Sequence, residues 1–483
     1  MQDGLDTKLD ALLRGTGTWD LQTGVIVVGA GIAGHCAALA AAEHGAEVLL
    51  LEKQGEIGGS TVLSSGFFAF AGTDAQRRCA IDDSGGKLLR ELREIGGFEN
   101  DETLLRTYAD QQLDAYAWLQ SNGVVFGKVE LSSGQSIARS HSTDPRQVIQ
   151  ALSRQSQASG HITLLPRTRA QRLVRANAQA PIAGILATRG EDGIAIQAHG
   201  GTVLAAGGFS RSEELLKTFA PAQARALRIG GEGNTGDGIR MAWQLGAGLR
   251  DMGYIKGTFG SHPKADHLQH RTQSILPVYR GAIAVNRAGR RFVDESLSYK
   301  LLGDACLQQQ DAIAWQVFDQ QVMAQSSPGA ALFDFAPALQ QGLLMQADTL
   351  AALADRAGIA REPLLATVER YNGYVDTGRD AEFGRDGLSS HSGRLTKIDR
   401  PPFYAFPSTS VVLATYCGVT VDAGARVLDV FGGPLEGLFA AGEMTGGFHG
   451  VAYMTGTSLG KAVVFGRIAG EQAARRCSQA RHP

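Results

Sequence analysis

"GVIVVGAGIAGHCAALAAAEHGAEVLLLEK", Gly24–Lys53, decides the fold. Val25–Val28 read as a strand buried on both faces, and Gly29, Gly31 and Gly34 follow at GxGxxG spacing. An Ala-rich helix then runs to about His44, and a second apolar strand, Val48–Leu51, ends at Glu52. Each glycine has a separate task. Gly29 permits a tight turn, Gly31 lets backbone N–H groups approach a pyrophosphate, and Gly34 lets helix pack on strand. The helix N-terminus offers partial positive charge to phosphate. Glu52 stands where an acid accepts from a ribose hydroxyl. Ala33 and Lys53 lie in the same unit and join the candidate set. The first βαβ unit therefore reads as a dinucleotide site.

The bulk properties exclude several classes. The 483 residues are 43% hydrophobic, enough for a large core, and carry a formal charge of −2, which gives no footprint for nucleic acid. No apolar run approaches the ~18–20 residues that span a bilayer. "MQDGLDTKLDALLRG" at the start has early acids and no apolar core of a secretory signal, so the expected location is cytoplasmic. Cys36, Cys79, Cys306, Cys417 and Cys477 are scattered, with no CxxC, so neither a disulfide framework nor a metal centre is expected. Glycine is the outlier, with 62 residues. That is about 13% against a usual ~7%.

The glycine excess is clustered. "GGSTVLSSG" supplies Gly59, Ser60, Thr61, Ser65 and Gly66 soon after the acid. "TVLAAGGFS" ends at Ala206–Gly207, and "GLFAAGE" ends at Gly442–Glu443. A chain that returns twice to backbone-exposing turns grips one long ligand along its length. Taken with "GRRFVDES", "PPFYA" and "HGVAYMTGTSLGKAVVFGRIAGEQAA", this order resembles the fumarate reductase and ketosteroid dehydrogenase superfamily of FAD flavoproteins, over residues 23 to about 475. The resemblance implies FAD, with Gly29, Gly31, Gly34 and Glu52 at its ADP half. It places Ser60, Thr61, Ser65 and Gly66 at the flavin, Ala206–Gly207 at the middle and Glu443 at the ribityl chain. Thr457, Ser458 and Leu459 would open a helix whose N-terminus meets the flavin O2/N1 edge.

The fold class expected is α/β: a Rossmann-like FAD-binding domain of the two-dinucleotide-binding type with an inserted α+β cap or catalytic domain. Boundaries are expected at 21–255 plus 407–478 for the FAD-binding domain and 256–406 for the cap, after an N-terminal extension of 1–20.

The residues over the flavin depart from the fumarate-reducing members. Tyr299 in "SLSYKLLG" and Tyr453 in "VAYMTGTS" stand at positions where those members carry arginine, and Ala414 replaces a histidine. An arginine fork suits a carboxylate, whereas a phenol donates one hydrogen bond or acts as a base. This pattern resembles the 3-ketosteroid dehydrogenase branch. It implies that Tyr299 removes the proton alpha to a ketone while Tyr453 polarises that ketone, helped by a backbone N–H near Gly456–Thr457, with the beta hydrogen leaving as hydride to flavin. Thr455, two on from Tyr453, resembles the Tyr-x-Ser arrangement of the Δ4-type enzymes. Tyr108, Tyr116 and Tyr416 are open candidates for a third tyrosine. Expected partners are a small hydrophobic cyclic ketone and a diffusible electron acceptor such as a quinone. The competing expectation is a carboxylate substrate held by Arg280. His262, His267 and His270 are expected in a surface loop without a metal. Phe67 and Phe68 are expected to pack beside the flavin.

Overall fold

The computed structural model describes residues 2–255, 257–265, 273–330, 332–389 and 393–481. Two compact units emerge. The first comprises Met1–Leu215, Gly231–Ile255 and Ala414–Pro483, and the second Leu216–Gly230 and Lys256–Leu413. Residues 216–230 thus group with the second unit. The expected boundary at 406/407 falls inside the strand Phe403–Val412, whose continuous backbone ladder keeps it in one sheet.

The first unit is a mixed α/β structure built on an eight-stranded sheet. Its parallel core runs Pro434–Ala440, Asp192–Leu204, Leu21–Val28, Val48–Leu51, Ile162–Leu165. The strand Leu21–Val28 is central because its apolar run must be covered on both faces. Val25–Val27 are fully buried. The chain leaves this strand toward Val48–Leu51 on one side and receives Asp192–Leu204 on the other, which opens a crevice beyond the strand ends. On one sheet face lie the helix Ile32–Glu43 and the C-terminal helix Thr457–Arg481. They pack backbone to backbone: a Cβ on Gly466 would meet Ala33 O at 2.6 Å, and one on Gly470 would meet Ala37 O at 2.0 Å. Residues 2–13 form a helix that buries Leu5 against Val174, Leu186 and Ala195, so the N-terminal segment belongs to this unit.

The second unit is an α+β structure around the strand Phe403–Val412, all ten residues of which are buried. It pairs antiparallel with Ala314–Asp319, which pairs in turn with Ile283–Val285. The period-two alternation of strands divides the core. Phe403 and Ala405 face the helices Leu350–Ala357 and Arg361–Thr377, while Tyr404 and Phe406 face the helix Tyr299–Leu307.

A buried ion cluster stabilises the first unit. The Arg139 guanidinium bonds both oxygens of Asp83 at 2.8 and 2.9 Å and also reaches Glu91 at 2.5 Å, with the Arg139 and Asp83 side chains wholly inaccessible. Burial raises both carboxyls, and the hydrogen bonds from Arg139, with those from Gln76 or Ser136, more than offset it and leave both below their usual values. Depressed carboxyls stabilise the fold above the unfolded value of about 4, and that contribution is lost as pH falls through the folded values. Arg139→Met should therefore lower unfolding free energy by about 3–5 kcal/mol at neutral pH, because two carboxylates lose their partner. In urea titrations the difference from wild type should shrink as pH drops below about 4.

Candidate functional site

The crevice of the first unit opens at the glycine turn. Gly29 has φ +106°, and a Cβ there would lie 2.4 Å from Ala205 O. A Cβ on Gly34 would lie 1.8 Å from Gly29 O, so these two glycines are demanded by the protein itself. Gly31 differs. It caps the helix Ile32–Glu43 at φ −80°, and its added Cβ would meet nothing nearer than Thr61 Oγ1 at 3.6 Å. Neither strain nor neighbours require glycine here, and the space it leaves lies before a helix N-terminus, as a phosphate-bearing ligand needs.

The other expected cofactor residues surround this space unevenly. Glu52 accepts from Ala30 N at 3.0 Å and Gln54 N at 2.8 Å, and Thr61 Oγ1 accepts from Ile32 N at 3.2 Å. Gly59 has φ +48° with nothing within 4 Å of an added Cβ, and Ser60 Oγ accepts from Gly231 N at 3.2 Å. Lys53 is engaged with Asp237 at 3.0 Å and Thr235 at 2.6 Å. Ala33 packs toward Gly442, whose Cβ would meet it at 2.9 Å. Gly66 O accepts from Thr143 Oγ1 at 2.6 Å, and Ser65 is exposed.

At the ends of the next two strands, Ala206–Gly207 and Gly442–Glu443 converge on two residues that the sequence reading did not single out. Asn234 Nδ2 donates to both Glu443 oxygens at 3.0 and 3.1 Å, and Thr415 N donates to Glu443 Oε1 at 2.9 Å. A Cβ on Gly207 would strike Asn234 Oδ1 at 2.2 Å, and one on Gly208 would strike Thr415 Oγ1 at 2.0 Å. The glycine run around Asn234, "GGEGNTGDG", was the available signal.

Tyr453 lies before the C-terminal helix. Its Oη accepts from Gly456 N at 3.0 Å, its ring stacks on Tyr416 with centroids 4.7 Å apart, and His449 meets it edge-on at 5.4 Å. Tyr416 takes φ +56°, a strained value for a bulky residue and a feature that gathers at functional sites. The expected help from backbone N–H groups needs correction. Gly456 N is turned to Tyr453 Oη, and Thr457 N bonds Met454 O at 3.2 Å, because the tight turn into the helix closes on itself. Gly456 instead admits a neighbouring strand: at φ +90°, its Cβ would lie 2.7 Å from Ala69 N. Thr457 is buried and donates to Met454 O at 2.6 Å; Leu459 is buried and Ser458 half-buried. Thr455 is half-buried, with its N bonded to Ser133 O at 3.0 Å.

The candidates for a third tyrosine separate. Tyr108 is wholly buried and donates to Ala69 O, and burial raises its phenol. Tyr116 donates to Asp74 at 2.8 Å, and burial followed by that carboxylate pushes it up to about 12. Only Tyr416 of the three stacks on Tyr453. Phe68 is fully buried beside Phe70 and Phe126, while Phe67 is half-buried.

In the second unit, Tyr299 is the first residue of the helix Tyr299–Leu307, whose N-cap is Ser298. Buried Lys300 donates to Thr258 Oγ1 at 3.0 Å and lies 5.7 Å from the Tyr299 ring centroid. Lys300 was missed by the sequence reading. The signature "GRRFVDES" holds the chain just before this helix: Arg291 pairs with Glu295 at 2.6 Å and Asp380 at 2.8 Å, and Arg385 reaches Glu295 at 3.2 Å. Arg280 stacks 4.5 Å from the Phe333 centroid, and its buried Nε has no hydrogen-bond partner among the described residues. His262 corrects another expectation. It is buried rather than on a surface loop, because the strand Thr258–Ser261 carries it against Phe406, and burial lowers its imidazole. His267 and His270 lie outside the described residues. Among the described residues, no His, Cys, Asp and Glu cluster could hold a metal, and no helix is long and apolar enough to cross a membrane.

A family model described as "FAD binding domain", FAD_binding_2, matches residues 24–459. The chain is 32% identical over 459 residues to a probable fumarate reductase of Shewanella frigidimarina, covering 94% of this chain and 75% of that protein. A flavocytochrome c3 fumarate reductase in an open conformation superposes with TM-score 0.84 at 29% identity, over 99% of this chain and 81% of that one. The 3-ketosteroid Δ4-(5α)-dehydrogenase of Rhodococcus jostii RHA1 superposes with TM-score 0.77 at 27% identity, over 95% and 98% of the two chains.

FAD is the cofactor, and the open cradle at Gly31 fits its pyrophosphate. Gly31→Ala should leave the apoprotein's melting temperature unchanged and weaken FAD binding at least tenfold by calorimetric titration. Unchanged affinity would place the pyrophosphate elsewhere. With its glycine cradle, its parallel sheet and these relatives, the chain belongs to the FAD_binding_2 family and is an FAD-dependent oxidoreductase acting on carbon–carbon bonds.

Proposed function

We propose that the protein interconverts a saturated cyclic ketone and its α,β-unsaturated form. The carrying observation is the Tyr453 phenol, whose oxygen already accepts a hydrogen bond from Gly456 N at 3.0 Å. A hydroxyl that accepts from a backbone amide becomes a stronger donor of its own proton, through hydrogen-bond cooperativity. Stacking on Tyr416 restricts the ring. Such a donor suits a neutral carbonyl, where charge develops as the alpha proton leaves. In this reading Tyr299 takes that proton, and buried Lys300 lies 5.7 Å from its ring centroid. Bound FAD supplies the acceptor for the hydride lost from the beta carbon. FAD would be held by Gly29, Gly31, Gly34, Glu52, Ser60 and Thr61 at one end and by Ala206, Gly207 and Glu443 along its length, with a diffusible acceptor such as a quinone reoxidising it.

The test is anaerobic bleaching of the flavin near 450 nm by a panel of saturated ketosteroids, cyclohexanone-type ketones and dicarboxylates. Bleaching by a ketone supports the reading. Tyr299→Phe should then lose about 10²–10⁴-fold in kcat, and Tyr453→Phe about 10²–10³-fold, both with FAD retained. An active Tyr299→Phe enzyme would remove the mechanism.

A second reading, reduction of an unsaturated carboxylate, draws on the curated relatives, which include fumarate and urocanate reductases. Arg280 favours it, since its Nε lacks a partner among the described residues and a carboxylate would supply one. Oxidation of reduced enzyme by fumarate or urocanate, reduced at least tenfold in Arg280→Ala, would decide for it.

A further inference from the structure

The first unit contains two buried charged side chains, Lys461 and Asp251, that neither reading uses. Lys461, one turn into the C-terminal helix, is 2% exposed, and its Nζ donates to Thr445 O at 2.9 Å. The groups that act on it electrostatically are Asp251, Glu443 and Cys417. The Asp251 side chain is 6% exposed and accepts from Gly447 N at 2.6 Å, with Arg250 3.8 Å away. Asp251 holds φ +64°, a left-handed conformation. Both side chains therefore grip one segment, Gly442–Gly447, from opposite charges.

That segment is a wall of the cofactor crevice. It begins at Gly442, which packs between Ala33, in the first turn of the helix Ile32–Glu43, and Ala462 of the C-terminal helix. It carries Glu443, the carboxylate joined to Asn234 and Thr415. A cation and an anion thus stand behind the same wall, shielded from solvent, where Coulomb interactions reach further than in water. Burial lowers the Lys461 ammonium to about 8, with Asp251, Glu443 and Cys417 opposing that shift, and burial raises the Asp251 carboxyl. Neither hydrogen bond requires a charge. A neutral side chain would cap Thr445 O or receive Gly447 N without the desolvation penalty.

We propose that Lys461 and Asp251 set the reduction potential of the bound FAD, Lys461 raising it and Asp251 lowering it. Reduction adds negative charge to the flavin, so a buried cation favours the reduced form and a buried anion the oxidised form. The inference rests on FAD lying against the Glu443 wall and not on the identity of the substrate.

The test is equilibrium reduction of the FAD-loaded enzyme against reference dyes, without substrate. In Lys461→Met the ratio of reduced to oxidised flavin at a fixed dye potential should fall about tenfold. In Asp251→Asn it should rise about tenfold; each is ~30 mV for a two-electron couple. Asn tolerates the left-handed backbone and keeps an acceptor for Gly447 N, so Asp251→Asn changes charge with little change in shape. Opposite shifts support the proposal, because a general loosening of the site would move both variants the same way. Shifts of one sign, or none in either, overturn it. If Lys461→Met fails to retain FAD, Asp251→Asn decides: a rise supports the proposal, and no change or a fall overturns it.

Discussion

How closely two pieces of backbone can approach at Gly34 governs the first unit. The carbonyl of Gly29 occupies the place where any side chain of residue 34 would begin. That contact seats the N-terminus of the helix Ile32–Glu43 directly at the end of the central strand. The same economy of space is repeated where the C-terminal helix rides on Ala33 and Ala37 through Gly466 and Gly470. Two helices and three strand ends can then meet around one crevice. Adding a methyl group at these crossings would force backbone apart, whereas Gly31 carries no such obligation.

Parts of this were legible in the sequence because they are local. A strand, a turn and a helix within thirty residues report their own geometry through apolar runs and glycine spacing. The antiparallel core of the second unit was legible only as a change of composition. What could not be read were contacts made across long separations. Asn234 finds Glu443 across 209 residues, and Lys461 meets Thr445 only because a turn folds back under the helix. The misplacement of His262 has the same origin: polar neighbours in sequence suggested a surface loop, while a strand draws the ring against Phe406. The Gly456 amide illustrates a subtler limit. A motif can locate a helix start, yet the direction of each N–H depends on how the preceding turn closes.

The two units divide their labour differently. In the first, backbone shape sets the crevice, and the side chains around it mostly tie backbone to backbone: Glu52 to Ala30 and Gln54, Thr61 to Ile32, Glu443 to Thr415. In the second, side-chain charge organises the fold, through Arg291, Arg385, Glu295 and Asp380. Buried ion networks of this kind are costly to break at one member, because the remaining charge is left buried without its partner.

That network bears on what residue 299 can do. The helix Tyr299–Leu307 is capped by Ser298, whose Oγ accepts from Leu301 N, and the Arg291–Glu295 pair lies just before it in the chain. The scaffold supplies an address, and the occupant of the address decides which chemistry is offered there. An exchange at the head of this helix changes what buried Lys300 faces, since its ammonium lies 5.7 Å from the Tyr299 ring centroid. The signature "GRRFVDES" holds Arg291 and Glu295, so the motif by itself is a record of architecture rather than of substrate.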